Sequence, residues 1–318
     1  MSSLRTLPLF ERLEGCRNVL VAGGGGGFDV YAGLPLAFAL ASAGATVHLA
    51  NLSFSALDAP ESWIAPGLAE VRAATPGAGD YFPERTLARW LSARGHDQPV
   101  YAFARTGVLP LRESYRLLAD RLELDAVVLV DGGTDILMRG DESRIGTPEE
   151  DMASLAAVRD LTDVPVRIVT CLGFGIDYYH GVSHALVLEN IAALIRSGHY
   201  LGAFSIPPDS PEALAYLDAV DHARRTTPTR PSIVNGQIAA AIRGEVGNSQ
   251  FTTRTAGSDL FINPLMEMYF SFDLEGLAQN VAYLDALADT RTRAQVSLAI
   301  ETYRYDIDEY RAARPFPH

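Results

Sequence analysis

The chain has 318 residues, of which 48% are hydrophobic and 20% are charged, so it is long enough to bury a full core without disulfides or metal staples. Its formal net charge of -13 and its sequence pI of about 4.9 argue against a large basic face for nucleic acid or for an anionic membrane. All 26 residues counted as lysine or arginine are arginine, which excludes a Walker A lysine, pyridoxal phosphate on a Schiff-base lysine and a lysine general base.

Residues 1–17 contain no apolar run suited to a signal peptide, and the sequence has no uninterrupted apolar stretch of about 18 residues. We therefore expect a cytoplasmic protein that binds neither nucleic acid nor membranes. Cys16 and Cys171 lie far apart in sequence and outside any ligand spacing, which predicts two buried thiols and neither a disulfide nor a zinc site.

Short apolar runs alternate with helical patterns along the first two thirds of the chain, an order typical of βαβ units. Most of the runs are continuously apolar, as strands covered on both faces are. We therefore predict an α/β fold with a doubly wound, mostly parallel, Rossmann-like sheet. The predicted strands are Asn18–Ala22, Thr46–Asn51, Glu70–Ala73, Pro99–Ala104, Ala126–Val130, Val166–Thr170 and Leu201–Ser205. The predicted helices are Tyr31–Ala43, Pro83–Arg94, Leu111–Leu122, Glu149–Leu161, Ala185–Ser197 and Pro211–Arg224.

The alternation weakens after Thr226, where a short strand at Ser232–Val234, an aromatic stretch at Met266–Phe272 and two helices reaching Arg311 are expected. We interpret residues 1–225 as the Rossmann-like ligand-binding core. Residues 226–318 are expected to add a sheet extension and a C-terminal helical extension to the same domain, with the helices covering the core or forming a homo-oligomer face.

The first strand runs directly into five consecutive glycines that precede a helical pattern. Glycine permits positive φ and close approach of a ligand, and the free N–H groups at a helix start favour an anion. This pattern predicts a small anionic ligand held largely by the backbone. The predicted ligand-binding residues of this segment are Gly24, Gly25, Gly26, Gly27, Phe28 and Asp29.

The glycine run departs from the dinucleotide fingerprint, because the third glycine position holds Asp29 in one frame and Phe28 in the other. The second strand ends in Asn51, where an acidic residue would hold a ribose diol. Binding of a nicotinamide dinucleotide is thus disfavoured. A purely structural tight turn remains the alternative interpretation of the glycines.

A second motif, Asp131-Gly132-Gly133-Thr134-Asp135, follows the strand Ala126–Val130. Strand carboxyl ends collect at the ligand crevice of a parallel sheet, and carboxylates suit proton transfer and hard cations. We predict Asp131 as a catalytic residue and Gly132, Gly133, Thr134 and Asp135 as ligand-binding residues. Any Mg²⁺ or other divalent cation is expected at Asp131 and Asp135. In the alternative, Asp131 caps the turn and Asp135 is solvated.

A third motif runs from Gly175 to His184 after the strand Val166–Thr170. His180 and His184 are four residues apart, but Gly181 and Ser183 indicate that the helix begins only after Ser183, which weakens a zinc pair. We predict that Asp177 and His180 move protons and that His184 contacts the ligand, since imidazole changes charge near neutral pH. A capping or packing role is the alternative for either histidine.

Asn235 is predicted to contact the ligand because it follows the short strand expected at Ser232–Val234. Arginine is the strong cationic donor available for a phosphate or carboxylate, and Arg105, Arg243 and Arg254 are candidates between which the sequence does not choose. There is no G-x-S-x-G elbow and no cysteine with an identifiable histidine partner, so a serine or cysteine hydrolase is not supported.

With Gly23–Asp29, Asp131–Asp135 and Gly175–His184 in this order, the chain resembles the domain-of-unknown-function family 1152 over nearly its whole length. The resemblance implies that these glycine, aspartate and histidine positions belong to one shared site. It implies no activity.

Three polar motifs at strand ends favour an enzyme that acts on a nucleotide, a nucleoside or a phosphorylated metabolite by hydrolase-type or lyase-type acid–base chemistry. One alternative is a non-catalytic nucleotide sensor that signals through the C-terminal helices. The other alternative is an NAD(P)-dependent oxidoreductase, which would have to tolerate Asp29 in the glycine motif.

Overall fold

The structure is a computed structural model that describes residues 5–57, 62–77 and 81–315. Within these ranges the chain forms a nine-stranded sheet with α-helices on both faces. The strands are β1 Asn18–Gly23, β2 Thr46–Ser53, β3 Trp63–Ala65, β4 Leu68–Val71, β5 Val100–Ala104, β6 Ala126–Asp131, β7 Val166–Leu172, β8 Tyr200–Ser205 and β9 Met268–Asp273. The helices are α1 Pro8–Leu13, α2 Asp29–Ala32, α3 Leu34–Ser42, α4 Pro83–Ser92, α5 Val108–Leu122, α6 Glu149–Arg159, α7 His184–Arg196, α8 Pro211–Thr226, α9 Ile233–Ile242, α10 Leu274–Asn280 and α11 Arg293–Tyr305.

The strand order across the sheet is β3-β4-β5-β2-β1-β6-β7-β9-β8. The five central strands, from β5 to β7, are parallel to one another. Antiparallel pairs flank them, β5 with β4 on one side and β7 with β9 on the other. The α/β class with a mostly parallel centre is therefore confirmed, and the sheet as a whole is mixed.

The central strands are apolar throughout because both faces of the sheet are covered. In β6, Val127 and Leu129 enter the core on one face, and Val128 and Val130 enter the core on the other. This alternation follows from the pleat, which points successive side chains to opposite faces. Helices α5, α6, α10 and α11 cover the first face, and α3, α4, α8 and α9 cover the second.

The predicted helix Tyr31–Ala43 is split into α2 and α3 at Gly33. A Cβ at Gly33 would lie 2.5 Å from Cγ1 of Val21 in β1. The chain therefore passes so close to the central strand that only glycine fits, and a new helix starts there.

The C-terminal third departs most from the expectation. The predicted strand at Ser232–Val234 is wrong, because the Ser232 side chain accepts a hydrogen bond from the amide of Asn235 and caps α9. The aromatic stretch forms β9, which lies between β7 and β8 in the sheet. The last third of the chain thus contributes an interior strand of the sheet.

Across the described ranges, no helix combines the length and the apolar character needed to cross a membrane.

Candidate functional site

Three carboxylates meet at the carboxyl edge of the central strands. Asp131 ends β6, Asp29 begins α2 after the glycine run, and Asp151 lies in the first turn of α6. One oxygen from each of the three lies within 4.8 Å of the other two. We call Asp29, Asp131 and Asp151 the carboxylate trio.

Hydrogen bonds to Gly24 bring the trio together. The Gly24 amide donates to the carbonyl of Val130 at 2.9 Å, and the hydroxyl of Ser154 donates to the Gly24 carbonyl at 2.7 Å. The first bond continues the pairing of β1 with β6 beyond the sheet. The second holds the start of α6, and with it Asp151, against Gly23–Gly27, which we call the glycine loop.

The glycine loop directs its backbone donors at Asp29. The amides of Gly25, Gly26 and Gly132 lie near the Asp29 carboxylate and oppose the rise of its pKa, and Gly26 has a φ of +91°, a conformation that favours glycine. The N–H groups that the sequence analysis assigned to an external anion thus face a carboxylate of the chain itself. The loop therefore favours the ionised form of Asp29, although burial raises the pKa of this carboxyl overall.

Asp151 supplies a buried oxygen with no partner. Its side chain is 4% exposed, and its Oδ1 accepts no hydrogen bond within the described part of the chain. A Cβ at Gly25 would lie 2.7 Å from both Asp151 oxygens and from Oδ2 of Asp29. Since a buried carboxylate oxygen without a partner is costly, this point between Asp29 and Asp151 is suited to a positively charged ligand.

The three carboxylates perturb one another. Burial raises the pKa of Asp131 and of Asp151 well above the usual range of a carboxyl, and the charges of neighbouring aspartates raise both further. Burial and then the charge of Asp135 raise the pKa of Asp29 to about 8. Without a cation, the trio therefore retains protons near neutral pH, and a bound cation must displace them.

Asp135 and Asp177 lie beside the trio with partners of their own. Asp177 accepts a 2.6 Å hydrogen bond from the amide of Thr134, and Asp135 accepts the amide and hydroxyl of Thr147 at 2.9 and 3.3 Å. Asp135 is 4% exposed, so the alternative in which it is solvated is wrong. Of the two predicted metal ligands, Asp131 belongs to the trio and Asp135 does not.

The two glycines of the second motif, Gly132 and Gly133, lie very close to neighbouring aspartates. A Cβ at Gly133 would lie 2.6 Å from the Asp177 carboxylate, and one at Gly132 would lie 2.9 Å from that of Asp29. Thr134 is itself buried. The lack of side chains at Gly132 and Gly133 therefore allows Asp29 and Asp177 to approach the turn that follows β6.

The two histidines occupy different elements. His180 ends the 3-10 turn Ile176–His180 and is exposed. Burial raises the pKa of Asp135, and His180 is among the neighbours that oppose this rise. His184 begins α7 after Ser183, as predicted. Burial lowers the pKa of His184, whose ring lies against Phe174 and Tyr178. The pair does not share a helix face, while His180 stands at the rim of the acidic cluster.

Phe28 and Asn235 hold the glycine loop from behind. The Phe28 ring is buried against Tyr31 and Tyr81. The Asn235 side chain donates to the Phe28 carbonyl at 3.1 Å and accepts the Tyr216 hydroxyl at 3.0 Å. Both residues are next to the site, and these contacts fix the loop.

Asn51 and Glu84 form a second anchor for the loop. The Asn51 amide donates to the carbonyl of Gly27 at 2.8 Å and to Glu84 at 2.7 Å, and its oxygen accepts the amide of Val30. Glu84 is fully buried, and burial raises its pKa to about 7. Asn51, which stands where a ribose-binding acid was sought, is thus engaged in holding the loop.

We expect Glu84→Gln to stabilise the protein above neutral pH. The folded pKa of Glu84 is raised above the unfolded value of about 4.5, so Glu84 lowers the free energy of unfolding progressively from about pH 4.5 to about pH 7. The advantage of the variant over the wild type should grow across that interval to about 3 kcal/mol. Urea unfolding at several pH values measures it, and an advantage independent of pH would contradict the assignment.

Sequence reasoning missed Asp151 and Glu84. Both lie in the first turn of a helix, Asp151 within Glu149-Glu150-Asp151 and Glu84 directly after Pro83. Acidic residues at helix starts are expected from the helix dipole alone, so nothing local marks these two as buried at a site.

Comparison with known proteins gave one finding. The model of a family described as protein of unknown function (DUF1152) matches residues 63–306, a range that includes Asp131, Asp151 and the histidine motif but not the glycine run. No curated protein and no solved structure gave a significant match.

Proposed function

The chain belongs to the DUF1152 family, whose description names no activity, and we propose that it is a divalent-cation-dependent enzyme acting on a nucleotide or another phosphorylated small metabolite. The reaction is of the hydrolase or lyase type. The site lies at the carboxyl edge of the sheet, where the carboxylate trio would hold the cation and the cation would supply the positive charge that binds a phosphate.

The unpartnered Asp151 oxygen carries this proposal. Carboxylate oxygens are the preferred ligands of hard cations such as Mg²⁺ and Mn²⁺, and the trio offers three within 4.8 Å of one another. The order of the parallel strands supports the same position. In chain order they are 3-2-1-4-5, the arrangement of a Rossmann-like sheet, which binds ligands where the order reverses, beside β1 and β6.

The groups around the trio have defined tasks in this proposal. A bound cation would polarise the phosphate and lower the pKa of bound water. Burial raises the pKa of Asp177, and a cation bound nearby would favour its ionised form. In that form Asp177, oriented by the amide of Thr134, would accept a proton from the attacking group. His180, exposed at the rim of the site, donates a proton to the leaving group or exchanges protons with solvent.

Thermal unfolding of the metal-free protein against Mg²⁺, Mn²⁺ and Zn²⁺, each with and without a panel of nucleotides and sugar phosphates, tests the proposal. Binding to the folded state must raise the unfolding midpoint by mass action. We expect Mg²⁺ or Mn²⁺ to raise it, phosphorylated compounds to raise it further when the cation is present, and Asp131→Asn to remove both effects. Release of phosphate or loss of the compound over hours then identifies the reaction. A midpoint that no cation changes would contradict the proposal.

A nucleotide sensor is the second candidate, favoured by contacts between α11 and the site. Arg293 donates to Glu150 at 2.8 Å, and the Ser297 hydroxyl donates to Glu149 at 3.3 Å, so α11 contacts the turn that carries Asp151. A sensor returns its ligand intact, whereas an enzyme consumes it. Asn51 is engaged with Gly27 and Glu84, so it does not offer a ribose-binding group to the nicotinamide cofactor of the other alternative.

A further inference from the structure

Arg105 stands beside the glycine loop at the same edge of the sheet. It follows β5 directly, and Phe54 follows β2 directly, one position beyond the paired residues Ser53 and Ala104. The Phe54 ring fills the space next to Gly26, where a Cβ would collide with it. Phe54 therefore contacts the glycine loop, and Arg105 packs against the Phe54 ring.

The guanidinium of Arg105 is held in place but keeps its donors. Its Cζ lies 4.6 Å from the centre of the Phe54 ring, and its Nη1 lies 3.7 Å from Oε1 of Glu150, the neighbour of Asp151 in α6. Within residues 5–57, 62–77 and 81–315, the Arg105 side chain donates no hydrogen bond, and it is 41% exposed. An arginine fixed by a ring and an ion pair loses little rotamer freedom on binding a ligand.

The other arginines near the loop are less suited to this role. Arg254 donates to the carbonyl of Pro231 at 2.6 Å. Arg230 lies 5.9 Å from the centre of the Tyr81 ring, farther than Arg105 lies from Phe54, and no ion pair with a described residue holds it in place. Arg243, the third candidate from the sequence, donates to Asp221 at 2.8 Å. Arg105 combines open donors with a fixed position between Phe54, which contacts the glycine loop, and Glu150, the neighbour of Asp151.

We infer that Arg105 binds a second anionic group of the ligand, an inference that rests on the proposed cation site. The substrate class is therefore an organic di- or polyphosphate. One phosphate lies on the cation at the carboxylate trio, and the next is reached by the planar guanidinium, which matches phosphate geometry with two parallel N–H donors. The protein carries a net charge of -13, so a polyanion is held here only by local positive charge. Arg105 thus distinguishes a diphosphate from a monophosphate.

Calorimetric titration tests this inference with Mn²⁺ first, and then with inorganic phosphate and inorganic pyrophosphate on the Mn²⁺-loaded protein. Free Mn²⁺ is held constant because pyrophosphate itself binds the ion. We expect wild type to bind pyrophosphate more tightly than phosphate. Arg105→Ala should weaken pyrophosphate binding about 10- to 100-fold, the value of a charge-assisted hydrogen bond, and leave the affinities for Mn²⁺ and phosphate within about twofold.

Two further variants complete the design. Arg105→Lys keeps the charge but loses the planar fork and should show an intermediate loss for pyrophosphate. Arg196→Ala, an exposed arginine at the end of α7, should match the wild type in every titration. Equal losses for phosphate and pyrophosphate in Arg105→Ala, or no loss for either, would overturn the inference and leave the cation site standing. Failure of the wild type to bind Mn²⁺ would overturn the proposed function and, with it, this inference.

Discussion

The Asp151→Asn variant is expected to be more stable than the wild type in the absence of divalent cations and to lose the stabilisation that Mn²⁺ gives the wild type. Asparagine keeps the shape of the side chain and removes a carboxyl that the metal-free fold can bury only by retaining its proton, at a position where Oδ1 has no hydrogen-bond partner among the described residues. We expect a gain of about 1–3 kcal/mol in metal-free protein at pH 8. The affinity for Mn²⁺ should fall by at least about 100-fold, because even the outer partners of metal ligands are worth 10- to 100-fold.

The sign of the pH dependence follows from the raised pKa of Asp151. In the unfolded chain its carboxyl ionises above about pH 4, while the folded protein retains the proton. Asp151 therefore costs stability above pH 4 and costs none below it, so the advantage of Asp151→Asn should vanish towards pH 4. Thermal unfolding with EDTA and with Mn²⁺, at both pH values, measures these effects.

Glu149→Gln is the matched control for Asp151→Asn. Glu149 lies in the same turn of α6 but is 26% exposed, so its substitution should change the stability by less than about 0.5 kcal/mol and keep the response to Mn²⁺. If the Asp151→Asn protein has a lower unfolding midpoint than the wild type and Mn²⁺ still raises that midpoint, Asp151 has a structural role and does not bind the cation.

The Arg311→Ala variant is expected to lose about 3 kcal/mol of stability. Residues 306–315, which we call the C-terminal strap, bring Arg311 to Glu142, whose side chain is fully buried. Arg311 contacts Glu142 at 2.6 Å, Asp141 at 2.7 Å and the oxygen of Asn190 at 3.0 Å. Removing Arg311 leaves the buried Glu142 charge without its cation, which is the costly case for a buried ion pair.

Urea unfolding of single and double variants measures this contribution. Arg311→Ala combined with Glu142→Gln should recover part of the loss, because the second change removes the charge left unpaired. Arg314→Ala removes a more exposed pair of the same strap, with Glu189, and should cost less than about 0.5 kcal/mol. If Arg311→Ala and Arg314→Ala lose the same stability, the buried pair of Arg311 with Glu142 contributes no more to stability than the exposed pair of Arg314 with Glu189.

Much of the central sheet could be predicted from local pattern. Continuous apolar runs located β1, β2, β5, β6 and β7 to within one or two residues. Strand direction was harder to predict, since an apolar run reads the same in a parallel or an antiparallel pair. The position of β9 between β7 and β8 is therefore fixed by the packing of the whole C-terminal third and is not visible in the stretch Met266–Phe272.

The C-terminal helices illustrate the same difference. Ser232 before a short apolar run fits a strand boundary as well as a helix cap, and the hydrogen bond that decides it joins Ser232 to the Asn235 amide. Once α9 forms, Asn235 faces the Tyr216 hydroxyl and the Phe28 carbonyl. Its contact with the loop depends on a helix that the local pattern did not favour.

The sequence by itself determined that Gly24 to Gly27 and Asp131 lie at one edge of the sheet, because parallel strands in βαβ units end on the same side. It also determined the start of α7 after Ser183 through the residue types there. Only the tertiary structure decided that Asp151 completes the carboxylate trio, through the hydrogen bond from Ser154 to Gly24, and that Glu84 reaches Asn51. Local residue patterns encode where a helix begins, whereas contacts between residues far apart in sequence decide which helix starts lie together at the site.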